Sequence, residues 1–169
     1  MKRYLSQSLP PETFHVTIHD LNNPLDTPEN LPQRMEETRK VVKEIFRNLE
    51  SYKNKKIHLK AVGIIGIPTA VGIGFEPISE RDFKVLLEIH RAFHKIRHIE
   101  RYIPHVTLGY FKPVNFKTRE ISEIASALKI ITKASRKLQI TLEVKDLSYQ
   151  VFDDMRSYHT IFKLEDILK

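Results

Sequence analysis

The tripeptide His-Val-Thr occurs twice in this chain, and a branched aliphatic residue follows each copy. The first copy starts at His15 and the second at His105. Both copies lie in segments that alternate apolar and polar residues, a pattern that predicts half-buried β-strands over residues 13–20 and 103–111. A fold for this sequence therefore has to present two similar strands, and this requirement constrains it more than any other feature.

The elements predicted around the two copies follow the same order: a strand, a long helix and two further strands. An additional helix over residues 79–98, with Ser79 as its N-cap, separates the two series. The remaining predicted elements are, in chain order, a helix over 29–50, strands over 57–67 and 70–78, a helix capped by Thr118 or Asn115, and strands over 138–152 and 157–164. The repeated order predicts two similar halves, residues 13–78 and 103–164, with the helix 79–98 between them.

Length and composition are those of one folded domain. The chain has 169 residues, of which 41% are hydrophobic and 29% charged, so we expect a single α+β domain over residues 1–169. No apolar run approaches the length of a membrane span, and the first residues lack the apolar stretch of a signal peptide. The absence of cysteine excludes disulfides and thiolate chemistry and fits a cytoplasmic protein without a membrane partner.

The charge balance points to anionic partners. The chain carries 28 Lys and Arg against 21 Asp and Glu, a formal net charge of +7. A basic domain attracts RNA, nucleotides and phosphate esters. Charge alone does not select among these ligands, and many basic domains bind none of them.

The strand period gives the two copies a chemical meaning. Side chains alternate between the faces of a strand, so His15 and Thr17 share one face while Phe14 and its alternate neighbours point into the core. The same period places His105 and Thr107 together on one face. Two such strands across a groove would bring two imidazoles and two hydroxyls around one small volume.

This set of groups suits cleavage of a phosphodiester without a metal ion. One neutral imidazole takes a proton from the attacking hydroxyl or water, and one protonated imidazole gives a proton to the departing oxygen. Threonine hydroxyls donate hydrogen bonds to the phosphate oxygens on which charge builds up. Histidine suits both roles because its ordinary pKa is near neutrality.

The paired motif resembles that of the 2H phosphoesterase superfamily, the 2′-5′ RNA ligase-like and cyclic nucleotide phosphodiesterase proteins with two His-x-Thr/Ser-x motifs. The resemblance covers residues 10–164 and implies a two-lobed, pseudo-symmetric α+β fold whose antiparallel sheets line a central cleft, with helices outside. It implies that His15 and His105 are the catalytic acid and base and that Thr17 and Thr107 bind the substrate phosphate. The implied activity is a metal-independent phosphoric diester hydrolase on 2′,3′-cyclic phosphates or 2′-5′-linked ends, with 2′-5′ RNA ligation as a further activity.

Other residues have two interpretations. His19 shares the predicted face of His15 and is a candidate substrate contact, although a solvated strand end is favoured. Phe111 shares the face of His105 and either stacks on a base or packs. Three histidines follow one another at helical spacing: His90, His94 and His98. A His-x3-His pair can bind zinc, but no third ligand is evident nearby in the sequence. We interpret them as histidines on the helix surface and expect no metal and no cofactor.

Two other classes of function stay open at this point. The same cleft would serve a catalytically weak or inactive module that binds RNA or a nucleotide. A plain interaction protein would make the two motifs a coincidence. The expected partner is a nucleotide or an RNA with a cyclic or 2′-phosphate end, and we expect a monomer. The two halves are too similar in sequence to assign which histidine is the acid and which the base.

Overall fold

The architecture is α+β, with helices packed on a curled five-stranded antiparallel half-barrel and a separate two-stranded sheet. The computed structural model describes residues 1–22, 29–67, 69–154 and 157–169. The strands are β1 Leu5–Ser8, β2 Lys56–Ile67, β3 Ala70–Pro77, β4 His105–Phe111, β5 Gln139–Glu143, β6 Ser148–Asp154 and β7 Ser157–Lys163. The helices are α1 Leu31–Asn48, α2 Glu80–Ala92, α3 Thr118–Ser135 and α4 Leu164–Ile167.

The large sheet has the strand order β1-β4-β3-β2-β5, and β6 pairs only with β7 among the described strands. All of the pairings are antiparallel. The strand that carries His105 therefore lies between β1 and β3, inside the sheet. No helix in the described part of the chain is long and apolar enough to cross a membrane.

The core lies where α1, α2 and the small sheet meet one face of the large sheet. The apolar stripe predicted on the first helix is buried there, with Phe46 only 1% exposed. The side chains of this core come from all of these elements: Val42, Ile45, Phe46, Leu49, Ile57, Leu59, Ala61, Ile73, Phe75, Val85, Leu86, Ile89, Phe93, Val144, Tyr149, Phe162 and Leu164. The core fixes α2 against β2, which matters for the site described below.

The start of α2 is joined to β2 through one carboxylate. Ser79 is the N-cap, as predicted, and its Oγ accepts from the amide of Asp82 at 3.1 Å. The buried Asp82 carboxylate accepts from the Ser79 hydroxyl at 2.6 Å and from the His58 amide of β2 at 3.2 Å. These donors, the Ser79 hydroxyl foremost, lower the pKa of Asp82.

The strand predicted over residues 13–20 is wrong. Pro11–Thr13 form a 3-10 helix, and residues 14–20 follow as irregular backbone without a strand partner in the described structure. The unpredicted strand β1 pairs with β4 on the edge opposite β3, and residues 14–20 lie outside the strands of both sheets.

Three other boundaries differ from prediction. The strand predicted over 138–152 is two strands separated by the 3-10 helix Val144–Asp146, because β5 joins the large sheet and β6 joins the small one. The helix α3 starts from Lys117 as its N-cap, not from Thr118 or Asn115. The helix predicted over 79–98 ends at Ala92 and continues as the 3-10 helix Phe93–Lys95.

Candidate functional site

The second His-Val-Thr copy has the predicted strand geometry. Val106 and Leu108 pack against the core, so the alternation of β4 places His105 and Thr107 on its other face. The Nδ1 atom of His105 lies 2.8 Å from the carbonyl oxygen of Ile103. A carbonyl oxygen only accepts, so Nδ1 carries a proton, and the neutral ring keeps its lone pair on Nε2. Burial raises the pKa of Tyr110, and the nearby Thr107 side chain opposes that rise.

The first copy makes the same contact between its histidine ring and a backbone carbonyl, although its backbone is irregular. The Nδ1 atom of His15 lies 2.8 Å from the carbonyl oxygen of Thr13, again two residues earlier in the chain. The His15 ring therefore takes the same tautomer as His105, with Nε2 available as a base when neutral. Thr17 is exposed, as a residue that receives a ligand from solvent would be. Phe14 is 41% exposed, so the prediction that it enters the core is wrong.

The strand β1 leads the chain in the direction of the start of β4. The strand β1 runs antiparallel to β4, and the amide of Leu9 donates to the carbonyl of Leu108 at 3.1 Å. Beyond Leu9 the chain therefore continues towards the start of β4, where His105 lies. A short 3-10 turn and one more residue lead from there to His15.

One buried imidazole joins the backbone after the first copy to the backbone before the second. The Nδ1 atom of His90 lies 2.9 Å from the carbonyl oxygen of Ile18, and its Nε2 lies 3.1 Å from that of Ile99. The ring of Tyr102 stacks on His90 with 4.6 Å between centroids. Because His90 is only 2% exposed, the prediction that it lies on the helix surface is wrong.

A cavity of about 520 Å³ opens beside the first copy. His15 and Thr17 line it together with residues of β5 and β6, whereas neither His105 nor Thr107 is among the described residues that line it. The ring of Tyr158 meets His15 edge-on, with centroids 4.4 Å apart. Phe152 lies 5.4 Å from Tyr158, which makes an aromatic surface on the cavity wall. These two residues were missing from the predicted site, and their only sequence signal is an aromatic pair in the last hairpin.

The two candidate substrate contacts are placed differently. Phe111 packs edge-on against Phe116 at 6.1 Å, as expected of a packing residue. The His19 side chain lies against the rings of His90, Phe93 and His94. Its Nε2 atom is buried, so the favoured interpretation of His19 as a solvated strand end is wrong. Burial is the main reason that its pKa falls to about 4.

Comparison with known proteins adds no family to this geometry. Neither a scan against protein-family models nor a search of curated proteins found a match to the chain. The functional argument therefore rests on the residues and their surroundings.

Proposed function

We propose that this protein is a metal-independent phosphoesterase that acts on 2′,3′-cyclic phosphates or 2′-5′-linked nucleotide or RNA ends. The observation that carries the proposal is the matched contact of His15 and His105, in which each ring nitrogen Nδ1 meets a carbonyl two residues earlier at 2.8 Å. A shared tautomer with Nε2 available is what a pair of acid and base groups needs.

The proposed reaction uses only groups of the chain and one water molecule. The Nε2 atom of one neutral imidazole takes a proton from water, and the resulting hydroxide attacks phosphorus. The Nε2–H of the other, protonated imidazole gives its proton to the ribose oxygen as the bond from phosphorus to that oxygen breaks. Opening a 2′,3′-cyclic phosphate in this way leaves one phosphate monoester and one free hydroxyl. The hydroxyls of Thr17 and Thr107 donate to the oxygens that gain charge.

The surroundings of the first copy support a nucleotide as the ligand. A volume of about 520 Å³ is within the range of small-molecule sites. The Tyr158 and Phe152 rings offer a surface on which a base can stack. The net charge of +7 favours a phosphorylated ligand. On this proposal the fold is the two-lobed 2H type, and residues 14–20 with the β6–β7 hairpin form the second wall of the cleft.

The alternative is a module that binds RNA or a nucleotide in the same cavity without turnover. The aromatic wall favours it as much as it favours an enzyme, since stacking contributes affinity without chemistry. Turnover of substrate distinguishes the enzyme from the binding module. Purified protein is assayed with 2′,3′-cyclic mononucleotides in the presence of EDTA, while circular dichroism monitors its fold.

The decisive variants are His15→Asn and His105→Asn. Asparagine places an amide donor near the position of Nδ1, so the contact to the carbonyl can persist while Nε2 is lost. We expect each variant to lose about 10²–10⁴-fold in rate, the usual contribution of one acid or base. His58→Asn is the matched control, because His58 is an exposed histidine of β2 that contacts the Thr141 hydroxyl and is not among the described residues that line the cavity.

Two results would contradict the proposal. One is wild-type turnover in both variants, which would leave the imidazoles without a catalytic role. The other is activity that EDTA abolishes while the circular dichroism spectrum stays unchanged. Binding of a 2′-phosphate nucleotide without any turnover by the wild type would favour the binding module instead.

A further inference from the structure

We propose that His19, His90 and His94 form a binding site for a divalent transition-metal ion, with zinc as the preferred ion. The site goes beyond the proposed phosphoesterase function and does not depend on it. One ligand atom from each histidine lies within 4.8 Å of the other two. The three rings contact one another, with centroids 4.8 Å apart for His19 and His90, 5.1 Å for His90 and His94, and 5.8 Å for His19 and His94.

The spacing is close to that of a bound ion. Zinc holds imidazole nitrogens at about 2.0–2.1 Å, which in a tetrahedral site places them about 3.3 Å from one another. The longest separation here exceeds that value by about 1.5 Å, which small rotations of the side chains can close. Three neutral imidazoles and one water complete a tetrahedral zinc ion, and imidazole nitrogen is a ligand that zinc favours.

Polar atoms around His90 support the site independently of the spacing. The Nε2 atoms of His19 and His94 and the hydroxyl of Tyr102 are buried without a hydrogen-bond partner in the described part of the chain. All three side chains contact the ring of His90. Buried polar atoms almost always have partners, and a group of three without one is often explained by a bound ion or water.

The contacts of His90 are compatible with one of its nitrogens acting as a metal ligand. Its two ring nitrogens both face carbonyl oxygens, those of Ile18 and Ile99. A neutral imidazole has one N–H and can donate to only one of them. A metal ion would accept the lone pair of one nitrogen, while the other nitrogen donates to its carbonyl, as metal-bound histidines usually do.

The position of the site suggests a structural role. His19 belongs to the irregular segment after the first His-Val-Thr copy, whereas His90 and His94 belong to α2 and the 3-10 helix that follows it. Residues 14–20 have no strand ladder within the described structure to hold them. A metal ion would join this segment to the helical layer and help to hold the first copy in place, so EDTA should lower hydrolysis only to the rate of the His19→Gln variant and should not abolish it.

The test measures metal binding on chelator-treated protein without a polyhistidine tag. Zinc is titrated in competition with a chromophoric chelator, and cobalt is titrated separately because tetrahedral Co²⁺ absorbs strongly in the visible range. We expect one ion per chain and a melting temperature that rises with zinc. His19→Gln and His94→Gln should each weaken zinc binding by at least about 100-fold, because replacing even an outer partner of a ligand costs about 10–100-fold.

The controls separate this site from the proposed active site. His58→Gln and His15→Asn should bind zinc as the wild type does, and His15→Asn should lose only hydrolysis. His19 lies on an irregular segment outside the helices and strands, and circular dichroism checks that each variant is folded. Absence of zinc binding, equal binding in the His19 and His94 variants, or loss of binding in His15→Asn would each overturn the proposal. A wild type that binds zinc without hydrolysing nucleotides would contradict the proposed function alone.

Discussion

The two His-Val-Thr segments have the same tripeptide and different backbones. The second is the start of β4, which pairs with β1 on one side and β3 on the other. The first is irregular, and the Nδ1 atom of His90 lies within hydrogen-bond distance of the Ile18 carbonyl at its end. Both nevertheless make the same short-range contact from Nδ1 to the carbonyl two residues earlier. A local hydrogen bond of this kind depends on nearby residues alone, whereas a strand depends on the neighbours that the rest of the chain provides.

The largest expected effect tests whether the two threonines are chemically equivalent. Valine keeps the branched shape of threonine and deletes its hydroxyl. Thr17→Val and Thr107→Val should therefore each lower single-turnover cleavage of a cyclic nucleotide by about 10²–10³-fold, the usual cost of one oxyanion donor. Affinity for the unreacted substrate should change less, since the charge on the phosphate grows in the transition state.

Thr160→Val, an exposed change on β7 at a position that is not among the described residues lining the cavity, is the matched control and should leave cleavage unchanged. A loss confined to Thr107→Val would show that the irregular segment contributes no phosphate donor. Normal cleavage by both variants would mean that neither hydroxyl acts on the phosphate.

The next effect concerns the buried ring between the two segments. His90→Phe keeps an aromatic ring against Tyr102 and removes both nitrogens from the Ile18 and Ile99 carbonyls. A buried acceptor left without its donor costs about 1–3 kcal/mol, so we expect the free energy of unfolding of metal-free protein to fall by about 2 kcal/mol. Urea denaturation measures this loss, and hydrogen exchange should rise more in residues 14–20 than in β4.

The exposed His98 is the natural comparison for His90. His98→Phe should leave the urea midpoint nearly unchanged, because its ring is largely in solvent. Equal exchange rates in the two His-Val-Thr segments of the His90 variant would show that this imidazole does not hold the first segment.

A smaller effect depends on pH and concerns the helix that carries His90. The pKa of Asp82 lies below its ordinary value of 3.8 because the folded state stabilises the carboxylate. Its contribution to stability is therefore complete above about pH 5, and it is lost as the pH falls through the lower pKa of the folded state. Asp82→Asn should cost about 1.5 kcal/mol at pH 7, since its hydrogen bonds involve a charged acceptor.

Urea denaturation at pH 7 and pH 3 measures the free energy of unfolding of Asp82→Asn and of the wild type. The difference in this free energy between variant and wild type should be smaller at pH 3. Glu80→Gln, an exposed change in the same turn, should cost less than about 0.5 kcal/mol because its contact with Lys84 is a surface ion pair. A cost for Asp82→Asn that is equal at both pH values would mean that charge is not the cause.

The smallest effect tests the surroundings of Phe14. The strand pattern predicts a core residue, yet the side chain is 41% exposed. Phe14→Ala should therefore cost about 1 kcal/mol or less, whereas Phe46→Ala in the core should cost about 3–5 kcal/mol. Thermal denaturation of the two variants compares them directly. Similar losses of stability in the two variants would show that Phe14 is more deeply buried than its 41% exposure indicates.

Several elements were predictable because their signals are local. The helix α1 has an apolar stripe at helical spacing, and α2 begins at a serine with an acidic residue three positions later. The strands β2 and β3 are apolar runs of ordinary length, and β4 alternates as predicted. The contact that fixes the tautomer of each motif histidine is also local, because it joins the ring to a carbonyl only two residues earlier in the chain.

What the sequence determined by itself is the type and approximate extent of these elements, together with the pair of histidines and threonines that suggests phosphate chemistry. The tertiary structure alone decided which strands pair. A segment such as 13–20 carries the alternation of a strand, but β1 takes the edge of β4, and the alternating run after Leu138 divides between two sheets. The tertiary structure also decided that His19 meets His90 and His94, because residues far apart in the chain come together only when the whole core packs.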